Sequence, residues 1–281
     1  MDIRKITITD KKEYEMLRNL WVQVFEDQYF EVDELYNNLN AVGYILADNG
    51  KLLSCLTTYQ SGVFNSKPVQ VIYAVCTDPS SRGQGYASQL VKHAKDELES
   101  TGNIVITCPA EASLVGYYDK LGLKPSFVAC NLQVAIEKDV EDVPSVIVRS
   151  INYKQYGKYR DSFLKNASHI VPTDALLKQA ESFSINGSGM LLINNGDAIC
   201  IVDSGTEDEM FVSELLVNPL LLERSSEIIF EIALGLAAKF ETSKVRFRTL
   251  ANFVYNNEDI YIQAMSGSDV DEISYYGLTL E

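Results

Sequence analysis

One pattern runs through this chain twice, and it limits the fold more than any single motif does. "GYILADNGKLLSCLTTYQ" reads as two strands turning at Asn49-Gly50, a pair that accepts the positive φ angles of a tight hairpin. A strand follows at Val69 to Val75, then Asp-Pro and a loop. A helix over Ser88 to Leu98 comes next, with Leu90, Val91, Ala94 and Leu98 on one face, and then the short buried strand "NIVITCP". Farther on, "GMLLINNGDAICIVDSG" repeats the hairpin at Asn195-Gly196, and "EMFVSELLVNP" repeats the strand with its proline. "SSEIIFEIALGLAAKF" repeats the helix and "KVRFRTLA" the next strand. Gly50 and Gly196 stand 146 residues apart, Pro79 and Pro219 140 apart, as expected of a duplication with one shortened loop. Strands mixed with helices in this order predict an α/β fold with a mixed sheet, built as two tandem copies.

The polar stretch "EKDVEDVP", Glu137 to Pro144, is the expected linker, dividing the chain into 1–138 and 139–281. Before the first hairpin, Asp10 followed by Glu13 marks a helix start, and Leu17, Leu20, Trp21 and Val24 fall on one face. A charged stretch follows: Glu26, Asp27, Glu31, Asp33, Glu34. A short helix is expected over Ser113 to Leu121, ended by Gly122, with "SFVACNLQVAI" closing the first unit as a strand.

Composition removes several classes of function. With a net charge of −15 over 281 residues, the chain repels nucleic acid and anionic membrane and attracts cations. Its longest greasy stretch, Ile228 to Ala238, contains Glu231 and is too short to span a bilayer. "MDIRKITITD" has no apolar core, so a cytoplasmic location is expected. Five scattered cysteines without a C-x-x-C, and two histidines without companions, predict neither a disulfide framework nor a metal site.

The copies part company after their prolines. The first has "DPSSRGQGYA"; the second has "NPLLLERSSE", with no glycine. A glycine loop opening a helix presents backbone N–H groups and the positive end of the helix dipole to an anion. Glycine matters at 83 and 85 because a Cβ would hold the ligand away or forbid the required φ, and Arg82 adds a fixed positive charge. Three phosphate chemistries compete. No G-x-x-x-x-G-K-[ST] string exists for a nucleotide-triphosphate loop. "GQGYAS" supplies two of the three glycines of a dinucleotide fingerprint and lies some 80 residues in. Coenzyme A is the third option: its pyrophosphate would sit on the loop, and the amides of its arm could pair with the preceding strand.

At these residues the chain resembles the GCN5-related N-acetyltransferases. "RGQGYA" is similar to that family's R-x-x-G-x-[GA] loop, and "GYYDKLGLKP" to its second signature. The resemblance covers about Met1 to Lys138 and extends to a tandem-domain subset whose second copy is degenerate. It implies acetyl-CoA as donor, with backbone groups of Val75 and Thr77 on the pantetheine arm and Cys76 between them. Thr77 departs from the usual aliphatic residue there. Arg82, Gly83, Gln84, Gly85, Tyr86, Ala87 and Ser88 would surround the pyrophosphate. The family often uses a tyrosine as general acid, and the matching position is Tyr118. Helical spacing puts Leu114, Tyr117 and Leu121 on one stripe, so Tyr117 is expected in the core and Tyr118 about 100° away. Glu111 is the candidate base, directly or through water. Cys108, with no histidine near it in sequence, is a poor covalent nucleophile, and His93 reads as a surface or packing residue.

The implied function is acetyl transfer to a small amine or a peptide amine, cationic if the acidic stretch after the first helix lines the acceptor site. A non-catalytic acyl-CoA sensor is the alternative. The C-terminal copy is expected to shape the acceptor cleft or to support a homodimer.

Overall fold

The computed structural model describes residues 1–136, 146–203, 208–250, 260–268, 270 and 274–279. In chain order the elements are β1 (Asp2–Ile6), α1 (Lys11–Phe25), α2 (Tyr29–Leu39), β2 (Val42–Asp48), β3 (Lys51–Phe64), β4 (Lys67–Thr77), α3 (Tyr86–Ser100), β5 (Ile104–Thr107), α4 (Val115–Lys120) and β6 (Lys124–Ala135). They continue with β7 (Val148–Ser150), α5 (Tyr153–Phe163), β8 (Val171–Pro172), α6 (Asp174–Phe183), β9 (Met190–Ile193), β10 (Ala198–Val202), β11 (Met210–Val217), α7 (Ser225–Phe240), β12 (Lys244–Thr249) and β13 (Ile260–Ser266). The linker expected at Glu137 to Pro144, and the division at 138/139, lie outside the described residues.

Two compact units form. Among the described residues, the first takes Met1–Ser126, Ile170–Leu176 and the segment beginning at Ala264. The second takes the stretches beginning at Phe127 and Leu177 and the C-terminal segment.

In the first unit β1, β2, β3 and β4 are successive antiparallel neighbours, and β4 pairs parallel with β5. The second unit repeats this ladder: β7–β9, β9–β10 and β10–β11 are antiparallel, and β11–β12 is parallel. The duplicated sequence pattern is therefore a duplicated strand order. The β2–β3 hairpin turns at Asn49 (φ 49°) and Gly50 (φ 79°), as the Asn-Gly pair predicts. A second tight turn, at Asn65 (φ 48°) and Ser66 (φ 64°), joins β3 to β4 and carries no glycine to advertise it.

One expectation of the fold needs correction. The strand "SFVACNLQVAI" does not close the first unit. From Phe127 on, β6 belongs to the second unit and pairs antiparallel with β12, from Lys244↔Ala135 to Thr249↔Cys130. The matching edge of β5 is taken by the C-terminal end of β13, at Met265↔Thr107 and Ser266↔Ile106. An open strand edge can take any strand of suitable length, so a duplicated chain can trade closing strands between copies. The acidic stretch after α1 is divided: Glu26 and Asp27 lie in the connection, and Glu31, Asp33 and Glu34 fall in α2. Gln28 and Glu31 form a capping box at the start of α2, and Val32, Leu35, Tyr36 and Leu39 are buried from it.

Helix α3 packs Leu90, Val91 and Ala94, each without exposed surface, on the first unit's sheet. Each of the two larger side chains contributes roughly 1.5–3 kcal/mol by leaving water. That packing fixes the helix whose N-terminus faces the glycine loop. Cys55, Cys76, Cys130 and Cys200 are buried among the strands. Among the described residues no helix is long and apolar enough to cross a membrane.

Candidate active site

The site begins with a fault in β4. Its pairing with β3 shifts register between Cys55↔Cys76 and Thr57↔Tyr73, which inserts one extra residue. Ala74 sits there with φ 48°, an unusual conformation for a residue with a side chain. The parallel pairing of β4 with β5 ends just before it, at Ile72↔Thr107. Val75, Cys76 and Thr77 thus continue along β3 after β5 has stopped. Among the described residues no strand lies beside their edge on the β5 side, which is what an amide-bearing ligand needs. Cys76 itself turns into the core, its sulfur 3.2 Å from that of Cys55. Thr77 contacts Ser54 through its hydroxyl at 3.1 Å.

A single 3-10 turn, Pro79–Ser81, leads from β4 toward the loop. Asp78 caps it, accepting from the backbone N–H of Ser80 at 2.9 Å. The Ser80 hydroxyl on Asp78, more than nearby Lys51, holds that carboxyl below the ordinary range. Arg82, Gly83, Gln84 and Gly85 then run exposed into α3. Gly83 (φ 78°) and Gly85 (φ 79°) both occupy the left-handed region, and an added Cβ at either would meet open space within 4 Å. Gly85 is the N-cap of α3 and supplies no side-chain cap. The N–H groups of Tyr86, Ala87 and Ser88 begin the helix without intrahelical acceptors. Arg82 stands exposed, its Nε 3.5 Å from the Thr77 carbonyl. Here the sequence-predicted loop residues come together as one exposed turn that opens a helix.

Across the strand opening lies α4. Tyr118 is buried at 7% exposure, whereas Tyr117 is partly exposed and takes the Ser88 hydroxyl at 3.2 Å. The core expectation for Tyr117 is thereby corrected. Helix α4 has six residues after a 3-10 turn, too short for one stripe to decide which ring is buried. Tyr118 hydrogen-bonds with Thr107, the last residue of β5. Thr107 donates its own hydrogen to the Ile72 carbonyl at 3.0 Å, so its oxygen is left to accept the phenol proton. Burial pushes the Tyr118 hydroxyl up to about 12. Tyr118 is therefore a protonated phenol beside the point where β4 and β5 part.

The acetyltransferase (GNAT) family matches residues 11–123. Residues 11–123 are a GNAT-family acetyltransferase domain.

The chain as a whole has the tandem GNAT fold. It is similar to a conserved protein of unknown function from Enterococcus faecalis V583, described as a probable N-acyltransferase. The TM-score is 0.67 at 13% identity, covering 94% of this chain and 72% of that one. A GCN5-related N-acetyltransferase from Anabaena variabilis gives a TM-score of 0.67 at 14% identity, with 94% and 72% covered. A tandem GNAT protein from the clavulanic acid biosynthesis pathway gives 0.59 at 10% identity, over 96% of this chain and 99% of its own. No curated protein sequence matches the chain.

GNAT proteins use acyl-CoA, and the residues of this domain fit such a group. The strand edge from Val75 to Thr77 is free on the β5 side, and the space over Gly83 and Gly85 is of the kind a side chain would invade. Glu111 stands exposed on the segment after β5, its carboxylate taking the Ser113 hydroxyl at 3.1 Å. His93 is exposed on α3, 3.8 Å from Glu97. Thr107 escaped the sequence reading. Its one signal is a polar residue ending a short buried strand.

Proposed function

We propose that the first unit transfers an acetyl group from acetyl-CoA to a primary amine of a small molecule or peptide, by direct attack. The bound donor supplies the thioester. Val75, Cys76 and Thr77 offer backbone groups along it, and the turn from Arg82 to Ser88 neutralises its diphosphate with N–H groups, helix dipole and guanidinium. Tyr118 holds a proton at neutral pH and gives it to the departing thiolate as general acid. Glu111, directly or through water, takes the proton of the attacking amine. The observation that carries this reading is the coincidence, at the end of β5, of a free strand edge, an uncapped glycine-led helix and a buried protonated phenol.

Thiol release from acetyl-CoA in the presence of a panel of primary amines tests it. Replacing Tyr118 by Phe lowers kcat about hundredfold while leaving acetyl-CoA affinity unchanged, the size expected for a lost general acid. Binding of acetyl-CoA without thiol release for any amine would return the acyl-CoA sensor reading.

A further inference from the structure

Five acids lie between Glu26 and Glu34, and they are not equivalent. Glu31 accepts from the backbone N–H of Gln28 at 2.7 Å and is half of the α2 capping box. Asp33 takes Arg18 Nη1 at 3.0 and 2.8 Å on its two oxygens, and the Tyr14 hydroxyl at 2.6 Å. Asp27 is held differently. Its Oδ2 accepts from Trp21 Nε1 at 2.6 Å, a neutral donor that orients the carboxylate without cancelling its charge. Asp27 is half-buried, and Trp21 beneath it is only 3% exposed.

The indole leads back to the strand opening. Trp21 packs on Tyr73 with ring centroids 5.6 Å apart, and Phe25 meets the same indole edge-on at 6.3 Å. Tyr73 is partly exposed and directly precedes Ala74, where β4 leaves β5. Phe25 is 42% exposed. Buried Trp21 therefore touches, on one side, the partly exposed ring of Tyr73 where β4 and β5 part and, through its Nε1, one oriented carboxylate.

Chemistry says which group that carboxylate suits. A nucleophilic amine must be neutral when it attacks, whereas a carboxylate that takes no proton in the reaction keeps an ammonium beside it charged. Asp27 is accordingly matched to a second ammonium that does not react, charged at neutral pH, on a stem that can lie along Tyr73 and Phe25. We propose that Asp27 selects the acceptor, and that the acceptor class is an alkyl diamine or polyamine; this rests on the acetyl-transfer reading above only for which of its amines is modified.

Trp21 is the chain's single tryptophan, so its fluorescence reads the site without turnover. The test titrates the full chain with 1,4-diaminobutane and with butylamine, following Trp21 emission and, with acetyl-CoA present, thiol release. The diamine shifts the emission and the monoamine does not at equal concentration. Asp27→Asn raises the diamine's Kd and KM about tenfold, as loss of one half-buried ionic contact implies, and moves kcat and the butylamine constants less than about twofold. Asp27→Glu recovers most of the diamine affinity. Equal binding of both amines by the unmodified chain, no emission change with the diamine, or an equal loss for both amines in Asp27→Asn overturns the proposal. If the diamine binds through Asp27 and no amine is acetylated, the transfer reading fails and Asp27 stands as a diamine-binding residue alone. If amines are acetylated without preference for the diamine, the reverse holds.

Discussion

The two copies keep the same strand fault and treat it in opposite ways. In the first, β4 bulges at Ala74 and its pairing with β5 has already ended at Ile72↔Thr107. In the second, the register of β11 shifts at the matching place, between Val212 and Leu215, yet pairing with β12 resumes at Leu215↔Thr249. The first leaves a free edge; the second zips it shut. The turns after the prolines diverge likewise. Asp78 and Asn218 each cap one, accepting from Ser80 N and Leu220 N. Glycines then open the way into α3, whereas the second turn continues through Arg224, and Ser225 donates back to Leu222 O at the head of α7. The second unit has also placed a buried ion pair at its bulge. Arg160 Nε meets Glu214 at 3.1 Å, both side chains fully buried, and Tyr156 donates to Glu214 at 2.8 Å. Arg160 Nη2 also donates to the Tyr276 carbonyl at 2.9 Å. A bulge is a cheap way to interrupt a sheet; whether it becomes a binding site depends on what fills it.

The largest effect that sharpens this contrast belongs to the second unit. Glu214→Ala strands Arg160 in the core and costs about 3–5 kcal/mol of stability in urea unfolding, while acetyl-CoA affinity stays within about twofold. A matching loss of acetyl-CoA affinity in the folded variant would mean that the second unit helps to hold the ligand. Next comes Tyr118→Phe, with its roughly hundredfold loss in kcat. Its pH behaviour carries a sign. Burial raises the phenol, so the acid form persists past pH 10, where a free tyrosine is half ionised. No alkaline limb that depends on Tyr118 is expected in kcat below about pH 11; a limb near pH 10 that vanishes in Tyr118→Phe would show the residue in a wetter setting than the one described.

Gly85→Val probes the loop itself. A β-branched residue at φ 79° is strained by about 1–2 kcal/mol, and its side chain enters the space over the turn, so acetyl-CoA binding weakens tenfold or more. Because an added Cβ touches no protein atom within 4 Å, that loss reports ligand and backbone rather than core packing. Smallest is Arg82→Ala, a loss of about fivefold that shrinks as salt rises, since the guanidinium is exposed.

Much of this was legible in the sequence, and the failures have physical causes. The two Asn-Gly turns, the paired prolines and the missing glycines pointed to a duplicated sheet with one glycine-led loop, because turn chemistry is local. The exchange of β6 and β13 was not legible, since "FVACNLQVA" says that it is a strand and not which edge it joins. Helix α2 hid behind its charges, although Val32, Leu35, Tyr36 and Leu39 carry a helical stripe. Glu214 inside "FVSELLV" was the readable sign of a buried charge, for an acid in an apolar strand must find a partner. Arg160, 54 residues earlier, could be named as that partner only from the fold.

Among the described residues, one strand opening, at the end of β5, meets a glycine-led helix. Calorimetric titration of the full chain with acetyl-CoA, read for stoichiometry, is the most direct test of that arrangement. One equivalent bound per chain is the expected result. Two equivalents, or no binding at all, would contradict the division of labour between the copies.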